Sequence, residues 1–154
     1  KIILLTDNSF SGLHGKEETG FFSKLNNIQT KFANESCHSL MMKIIPGIIE
    51  NDFSTFARGI KLVQENMSSI FYGNRKKFSS PKITKIFSFL ERDRFYGYGQ
   101  SSWGPTCFIF CENSAKRDYL FNKIENYIEL KKIEGINLLK TEGRNYGNII
   151  KKEN

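Results

Sequence analysis

The residues best suited to chemistry lie in one glycine-rich segment, GYGQSSWGPT, at residues 97–106. Glycine lets a backbone adopt a positive φ or approach a ligand closely. The amide and hydroxyl side chains between the glycines are neutral donors, and converging donors stabilise a developing negative charge without a metal ion. The segment therefore predicts an anion-binding loop, whose candidate binding residues are Gly97, Gly99, Gln100, Ser101, Ser102, Trp103 and Gly104.

The common phosphate-binding motifs do not fit this segment. A P-loop requires a lysine after its last glycine, and no lysine follows these glycines. A Rossmann fingerprint follows a strand, whereas this segment precedes the apolar run at residues 107–111. The alternative without a ligand is a turn into a buried strand, with Trp103 covering the core. The residues alone leave both interpretations open.

Three acidic residues stand where helices are predicted to begin. Glu17 and Glu18 fall in a first helical turn, where the helix dipole favours negative charge. Asp52 precedes Phe53, the first residue of a longer apolar stripe, and is typical of a helix N-cap. Helix stability alone explains all three positions.

The histidines and cysteines form no metal or nucleophile pattern. His14 and His38 are the only histidines and there is no CxxC motif, so we expect no metal site made by this domain alone. Cys107 and Cys111 lie roughly 13 Å apart along a predicted strand, too far for a disulfide. Together with Cys37 on an apolar helix face, they are expected to be reduced core cysteines.

Periodicity and cap residues predict about five helices and three to four strands. Because the helices are clustered rather than alternating with strands, we expect an α+β fold with helices on one face of a mostly antiparallel sheet. The helices are expected to start at Lys16, at residues 34–36, at Asn51 or Asp52, at Ser80-Pro81 and at Ser114. The second of them should end or kink at Pro46-Gly47. The strands are expected to cover residues 2–5, 106–111, 135–141 and 146–151.

Length and charge restrict the class of protein. At 154 residues we expect one domain covering residues 1–154. The first explanation of the net charge of +7 is a well-solvated surface, and the second is binding of phosphorylated small molecules. The basic residues are scattered along the chain, which disfavours binding of nucleic acid. No apolar run approaches the roughly 20 residues of a membrane span, and residues 2–5 are too short for a signal peptide. We expect a cytoplasmic protein without membrane contact.

Four segments together resemble the beta-ribofuranosylaminobenzene 5'-phosphate synthase family, a branch of the GHMP kinase superfamily. They are GLHGKEE at residues 12–18, IIPGIIENDFSTFARGI at 44–60, GxGQSSWGPT at 97–106 and RNYGNII at 144–150. The resemblance covers nearly the whole chain but only the C-terminal half of such a protein. It implies the GHMP C-terminal fold, a ferredoxin-like αβ-plait, here with an enlarged helical insert. One departure is Ala57, where the family usually has glycine.

The resemblance also implies an activity for the full-length protein. Family members condense 4-aminobenzoate with phosphoribosyl pyrophosphate and release carbon dioxide and pyrophosphate, on the route to methanopterin-type cofactors. An ATP-dependent GHMP small-molecule kinase and a non-catalytic binding module are the alternatives. Either enzyme needs an N-terminal phosphate-loop domain that this chain lacks, so we expect the fragment to be inactive alone. Mg²⁺ would accompany a pyrophosphate- or ATP-type substrate.

Site residues follow from the same resemblance. Glu18 matches the last position of the family's GLxGxxE segment and becomes the catalytic candidate. Arg144 matches an RNxG segment and is a candidate for bidentate phosphate binding, with a hairpin turn as the simpler alternative. The missing N-terminal domain is the expected partner, a homodimer stays open, and we expect an exposed apolar patch around Trp103 where a partner would dock.

Overall fold

The computed structural model describes residues 1–12, 15–24, 30–72 and 80–147. The strands are β1 (Ile2–Asp7), β2 (Tyr98–Gln100), β3 (Thr106–Phe110) and β4 (Ile136–Thr141). The helices are α1 (Lys16–Lys24), α2 (Thr30–Ser39), α3 (Ile45–Ile49), α4 (Phe53–Tyr72), α5 (Pro81–Glu91) and α6 (Ser114–Leu130). A π-helical turn (Leu40–Ile44) joins α2 to α3, so the described residues form five helical units.

The four strands form one antiparallel sheet in the order β2-β3-β1-β4. With α5 before the β2–β3 hairpin and α6 after it, this is the βαββαβ order of a ferredoxin-like fold, and α1 to α4 are an insert between β1 and α5. Thr6 pairs with Thr106 and Ile2 pairs with Phe110. We therefore call the two ends of the sheet the Thr6 end and the Ile2 end. The α+β prediction is confirmed.

The main core lies between the sheet and helices α5 and α6. Alternate strand residues such as Ile3, Leu5 and Ile109 point to this face and are fully buried. They meet the apolar stripe of α5, including Ile86 and Phe87. Each such aliphatic or aromatic side chain contributes about 1.5–3 kcal/mol by leaving water. The period of two in the strands and of 3.6 in the helices made this core predictable.

Helix α4 packs on the opposite face of the sheet, which corrects the expectation that the helices lie on one face. The ring of Phe56 contacts that of Phe110, with centroids 5.4 Å apart. The Gln64 side chain lies against Gly99, and its Oε1 accepts a hydrogen bond from the Gln100 N–H at 2.9 Å. Because Gly99 has no side chain, α4 can approach β2 this closely, which strand patterns alone do not reveal.

Helix boundaries follow cap chemistry closely. Ser80 accepts from the Ile83 N–H at 3.2 Å and Pro81 occupies the first turn of α5, as predicted. Asp52 accepts from the Thr55 N–H at 3.1 Å and so caps α4, also as predicted. The cap of α6 is Asn113 rather than Ser114, since its side chain accepts from the Lys116 N–H at 2.8 Å.

Three other predicted helix or strand positions differ from those in the structure. The second helix begins at Thr30 and continues through the π-helical turn into α3, whose first turn contains Pro46. Residues 98–100, expected to be loop, form the short strand β2. The last predicted strand falls on residues 146–147, which are irregular, and on residues outside the described part.

The cysteines divide into two groups. Cys107 and Cys111 are buried and unpaired, and burial raises the pKa of the Cys107 thiol to about 12 and that of Cys111 to about 11. Cys37 is exposed, so its predicted core position is wrong. Its side of α2 faces solvent because the opposite side, including Ser39, contacts α4. Across the described ranges, no helix has the length and apolarity needed to cross a bilayer.

Candidate functional site

The glycine-rich segment forms a hairpin at the Thr6 end of the sheet. Ser101 N–H donates to the Thr106 carbonyl and Gly104 N–H donates to the Ser101 carbonyl, both at 2.9 Å. Gly104 has a φ of 77° and Ser102 has a φ of 48°, which places both in the left-handed region. Glycine adopts this conformation without the steric cost that other residues carry. The hairpin is therefore an ordered turn that presents a fixed backbone.

Trp103 lies under the hairpin and not on its surface. Its side chain is 5% exposed. Its ring centroid lies 4.7 Å from that of Phe21, 4.6 Å from that of Phe71 and 5.9 Å from that of Phe22. Trp103 itself is therefore not part of an exposed patch, whereas Phe22, 49% exposed, carries the cluster to the surface. The expected apolar patch around Trp103 stays a prediction. Helix α1 supplies two of the covering rings, and spacing within residues 97–106 gives no sign of that contact.

The buried indole holds a carboxylate. Trp103 Nε1–H donates a hydrogen bond to Glu18 Oε1 at 3.0 Å. Glu18 lies in the first turn of α1 and is partly exposed. Nearby, a Cβ at Gly12 would lie 2.6 Å from the carbonyl oxygens of Trp103 and Gly104, so only glycine fits there. The structure thus brings the 12–18 segment and the hairpin together; Leu13 and His14 lie outside the described residues.

The polar side chains of the hairpin have different surroundings. The side-chain Nε2 of Gln100 donates to the Ser102 carbonyl at 2.8 Å, so this group supports the turn itself. Ser101 and Ser102 are exposed. Their hydroxyl groups are therefore the hairpin donors best placed to meet a ligand that approaches from solvent.

The first two glycines of the segment, Gly97 before β2 and Gly99 within it, face protein. Gly97 and Gly99 are buried. A Cβ at Gly97 would lie 3.1 Å from Phe53, and one at Gly99 would lie 2.5 Å from Gln64 and 2.6 Å from Phe108. Close packing accounts for both glycines without a ligand, and their role in binding stays a prediction.

Arg144 lies at the other end of the sheet. It follows β4, whose last residue Thr141 pairs with Ile2. Its guanidinium is exposed and stacks over the Tyr146 ring at 4.5 Å. Ile2 and Thr6 lie four positions apart along an extended strand, about 13 Å. The structure therefore does not bring Arg144 together with the hairpin, and its phosphate-binding role stays a prediction.

Asp7 is a buried polar residue that the sequence interpretation missed. It is 2% exposed at the end of β1 and accepts from Ser80 Oγ at 2.6 Å and from Ser9 N–H at 2.9 Å. Burial alone would raise the pKa of Asp7, but these hydrogen bonds and the nearby Lys82 charge outweigh it, and the pKa is lowered. The network fixes the start of the segment that leads to Glu18. The sequence signal for its burial is the alternation of Ile3, Leu5 and Asp7, which places all three on the same buried face of β1.

Comparison with known proteins places the chain in a class. Residues 44–129 match the family described as GHMP kinases C terminal, which is more than half of the chain. The chain belongs to this family. The matched part contains α4, α5 and the β2–β3 hairpin, the elements that carry Gln64 and Trp103.

Two curated relatives are more specific. Both are named beta-ribofuranosylphenol 5'-phosphate synthase. The protein of Archaeoglobus fulgidus is 24% identical over 129 residues, which covers 79% of this chain and 38% of the relative. The protein of Methanocaldococcus jannaschii is 25% identical over 124 residues, which covers 77% of this chain and 35% of the relative. The chain thus spans little more than a third of the relatives' length. The resemblance to the synthase family is confirmed.

Proposed function

We propose that this chain is part of a synthase that joins a ribose 5-phosphate group to an aromatic acceptor. The observation that carries the proposal is the hydrogen bond from Trp103 to Glu18, which unites two of the four segments that resemble the family. The relatives' name specifies a ribofuranosylphenol phosphate as the product. A phenolic acceptor such as 4-hydroxybenzoate is therefore our first choice, and 4-aminobenzoate, implied by the sequence resemblance, is the second.

The donor in this proposal is phosphoribosyl pyrophosphate, whose leaving group is an anion. The Ser101 and Ser102 hydroxyls would donate hydrogen bonds to its charged oxygens. Such charge-assisted bonds contribute about 1.5–3 kcal/mol each. In this reaction a bond forms between the anomeric carbon and the ring carbon that carries the acceptor's carboxylate. The bond to pyrophosphate breaks, and the carboxylate then leaves as carbon dioxide with its bonding electrons returned to the ring.

Glu18 is the proposed general base. Removing the proton of the acceptor's hydroxyl group raises the electron density at the ring carbon opposite to it, which is the carbon that forms the new bond. The indole of Trp103 holds the Glu18 carboxylate in position for this proton transfer. A positioned base of this kind accelerates a reaction by about 10²–10⁴-fold.

The rest of the proposed site lies outside this chain. The described residues contain no group of three His, Cys, Asp or Glu that could hold a metal ion. In this proposal Mg²⁺ would arrive on the phosphate oxygens of the donor. We propose that the remainder of the protein supplies the phosphate-loop domain, that residues 1–154 alone are inactive, and that the enzyme acts in the cytoplasm.

The test uses the full-length protein and two donors. With phosphoribosyl pyrophosphate and 4-hydroxybenzoate or 4-aminobenzoate, we expect a ribosylated aromatic phosphate by mass spectrometry, with one pyrophosphate and one carbon dioxide per product. Phosphoryl transfer from ATP to a small molecule, without a ribosylated product, would identify a kinase instead. Failure with both donors, in protein that binds phosphoribosyl pyrophosphate normally, would favour the non-catalytic module.

A further inference from the structure

Helix α1 presents one exposed aromatic ring beside Glu18. Phe22 is 49% exposed, whereas the other rings of its cluster, Trp103 among them, are buried or partly buried. Phe22 follows Glu18 by four residues in α1, and residues four apart on a helix share a face. The Phe22 ring and the Glu18 carboxylate are therefore neighbours at the surface.

Contacts with three other rings fix the position of Phe22. The indole of Trp103 donates to Glu18 Oε1 at 3.0 Å, and its ring centroid lies 5.9 Å from that of Phe22, with the two planes at 68°. The rings of Phe21 and Phe71 meet that of Phe22 at 84° and 80°, with centroids 6.0 and 6.3 Å away. These edge-to-face contacts are favourable aromatic geometries. One indole therefore positions both the carboxylate and the exposed ring.

The surface around Phe22 is otherwise polar. Apart from Phe22, the exposed residues of α1 are Lys16, Glu17, Thr19, Ser23 and Lys24. The core of a protein–protein interface is depleted of lysine and glutamate, so α1 does not have the composition of a surface that docks another domain. A small ligand that combines an apolar ring with polar groups fits a single ring among polar side chains better.

We propose that Phe22 binds the aromatic ring of the acceptor and makes the site specific for aromatic substrates. The proposal rests on the proposed function, in which the acceptor is a phenol and Glu18 removes its proton. The acceptor ring packs against the Phe22 ring while its hydroxyl group points to Glu18. Side chains four apart on a helix begin about 5–6 Å from each other, a separation that one benzene ring with its hydroxyl group can span.

The first experiment is steady-state kinetics of the full-length protein. Phe22→Leu keeps apolar bulk but removes the aromatic ring, so the KM for 4-hydroxybenzoate should rise about fivefold while kcat and the KM for phosphoribosyl pyrophosphate stay within about twofold. Phe22→Tyr keeps the ring and should keep the wild-type KM. The matched control is Tyr119→Leu, because Tyr119 is an aromatic residue on α6 that is 56% exposed. An unchanged acceptor KM in Phe22→Leu, or an equal rise for both substrates, overturns the proposal.

The second experiment measures binding without turnover, so that it does not depend on the proposed reaction. Benzoate and cyclohexanecarboxylate carry the same charge and differ in the aromaticity of the ring. In the presence of Mg²⁺ and inorganic pyrophosphate, the wild type should bind benzoate about fivefold more tightly by calorimetry, and Phe22→Leu should bind the two equally. If this difference appears but no ribosylated product forms, the proposed reaction fails and Phe22 keeps its ligand. If product forms but Phe22→Leu keeps the preference, the assignment of Phe22 alone is wrong.

The third experiment asks whether the rest of the protein covers this position. Phe22→Cys in the native full-length protein, without substrates, should react with a maleimide about as fast as Tyr119→Cys, since both positions are exposed on helices. Peptide mass spectrometry measures the labelling at each position. A thiol introduced at residue 22 that is protected while the one at residue 119 reacts would show that protein covers the position, which overturns the proposal.

Discussion

The indole N–H of Trp103 donates to Glu18 Oε1 at 3.0 Å, across 85 residues of sequence. This bond joins the first turn of α1 to the β2–β3 hairpin. Trp103 is buried by rings from α1 and α4, so the donor is held rigidly while the acceptor remains partly exposed. A tryptophan that packs as a core residue therefore also orients an acidic residue at the surface.

Two substitutions of Trp103 separate these roles. Trp103→Phe keeps an aromatic ring but removes the N–H donor, so we expect kcat in the full-length enzyme to fall about tenfold while Tm changes by only a few degrees. Trp103→Ala also removes the ring contacts and should cost about 3–5 kcal/mol of folding free energy. Kinetics and melting curves of both variants check this. Normal turnover by Trp103→Phe would show that the hydrogen bond has no part in catalysis.

Gly99 tests the packing of α4 on the sheet. Gly99→Val places side-chain atoms where Gln64 and Phe108 already lie, and overpacking of this kind costs about 1–3 kcal/mol. The control is Gly143→Ala, since no described atom lies within 4 Å of a Cβ at that exposed glycine. Urea unfolding should show a lower midpoint for Gly99→Val only. Equal midpoints would mean that α4 does not press on β2 as described.

Asp7 should make the fold sensitive to acid. Its folded-state pKa is lowered, so its ionised form stabilises the fold above the ordinary pKa of the group, and that stability is lost as pH falls through the folded-state pKa. We expect Asp7→Asn to be less stable than the wild type at pH 7 and the difference to shrink towards pH 2. Thermal melts across this range measure it, with Glu125→Gln on the exposed side of α6 as the control. A difference that stays constant with pH contradicts the assignment.

The buried thiols should be inert. With pKa values of about 12 and 11, Cys107 and Cys111 hold little thiolate at pH 8, and burial also blocks access. Among the three cysteines of residues 1–154, a thiol reagent should modify only Cys37 in the native full-length protein, as peptide mass spectrometry would show, and Cys37→Ser should leave none of the three modified. All three should react in guanidinium chloride. Rapid labelling of two or more native thiols would place a buried cysteine at the surface.

Much of the fold was predictable from local patterns. Ser80-Pro81 marked the start of α5, and the alternation of Ile136 and Leu138 in β4 marked its inward face. Strand β2 was missed because three residues that include a glycine carry no alternation signal, and pairing with β3 alone makes them a strand. Cys37 was misplaced because an apolar face and a solvent face of α2 look alike until α4 is in place.

The candidate site was predictable in its residue types but not in its geometry. The 12–18 and 97–106 segments were recognisable separately. Their contact depends on Gly12, which meets the Trp103 and Gly104 carbonyls, and on the rings of α1 and α4 that cover Trp103. The spacing of residues along the sequence does not indicate such contacts between distant segments. The same limit explains why Arg144 was grouped with the hairpin although it lies at the Ile2 end.

The most direct test of the account compares two neighbouring acids in the full-length enzyme. Glu18→Gln keeps an oxygen that can accept the Trp103 hydrogen bond but removes the base, so kcat with phosphoribosyl pyrophosphate and 4-hydroxybenzoate should fall about 100-fold or more at unchanged Tm. Glu17→Gln changes an exposed acid one position earlier and should keep wild-type kinetics. The measurement is steady-state product formation by both variants and the wild type. Equal kcat values for Glu18→Gln and Glu17→Gln would contradict the assignment of Glu18 as the base.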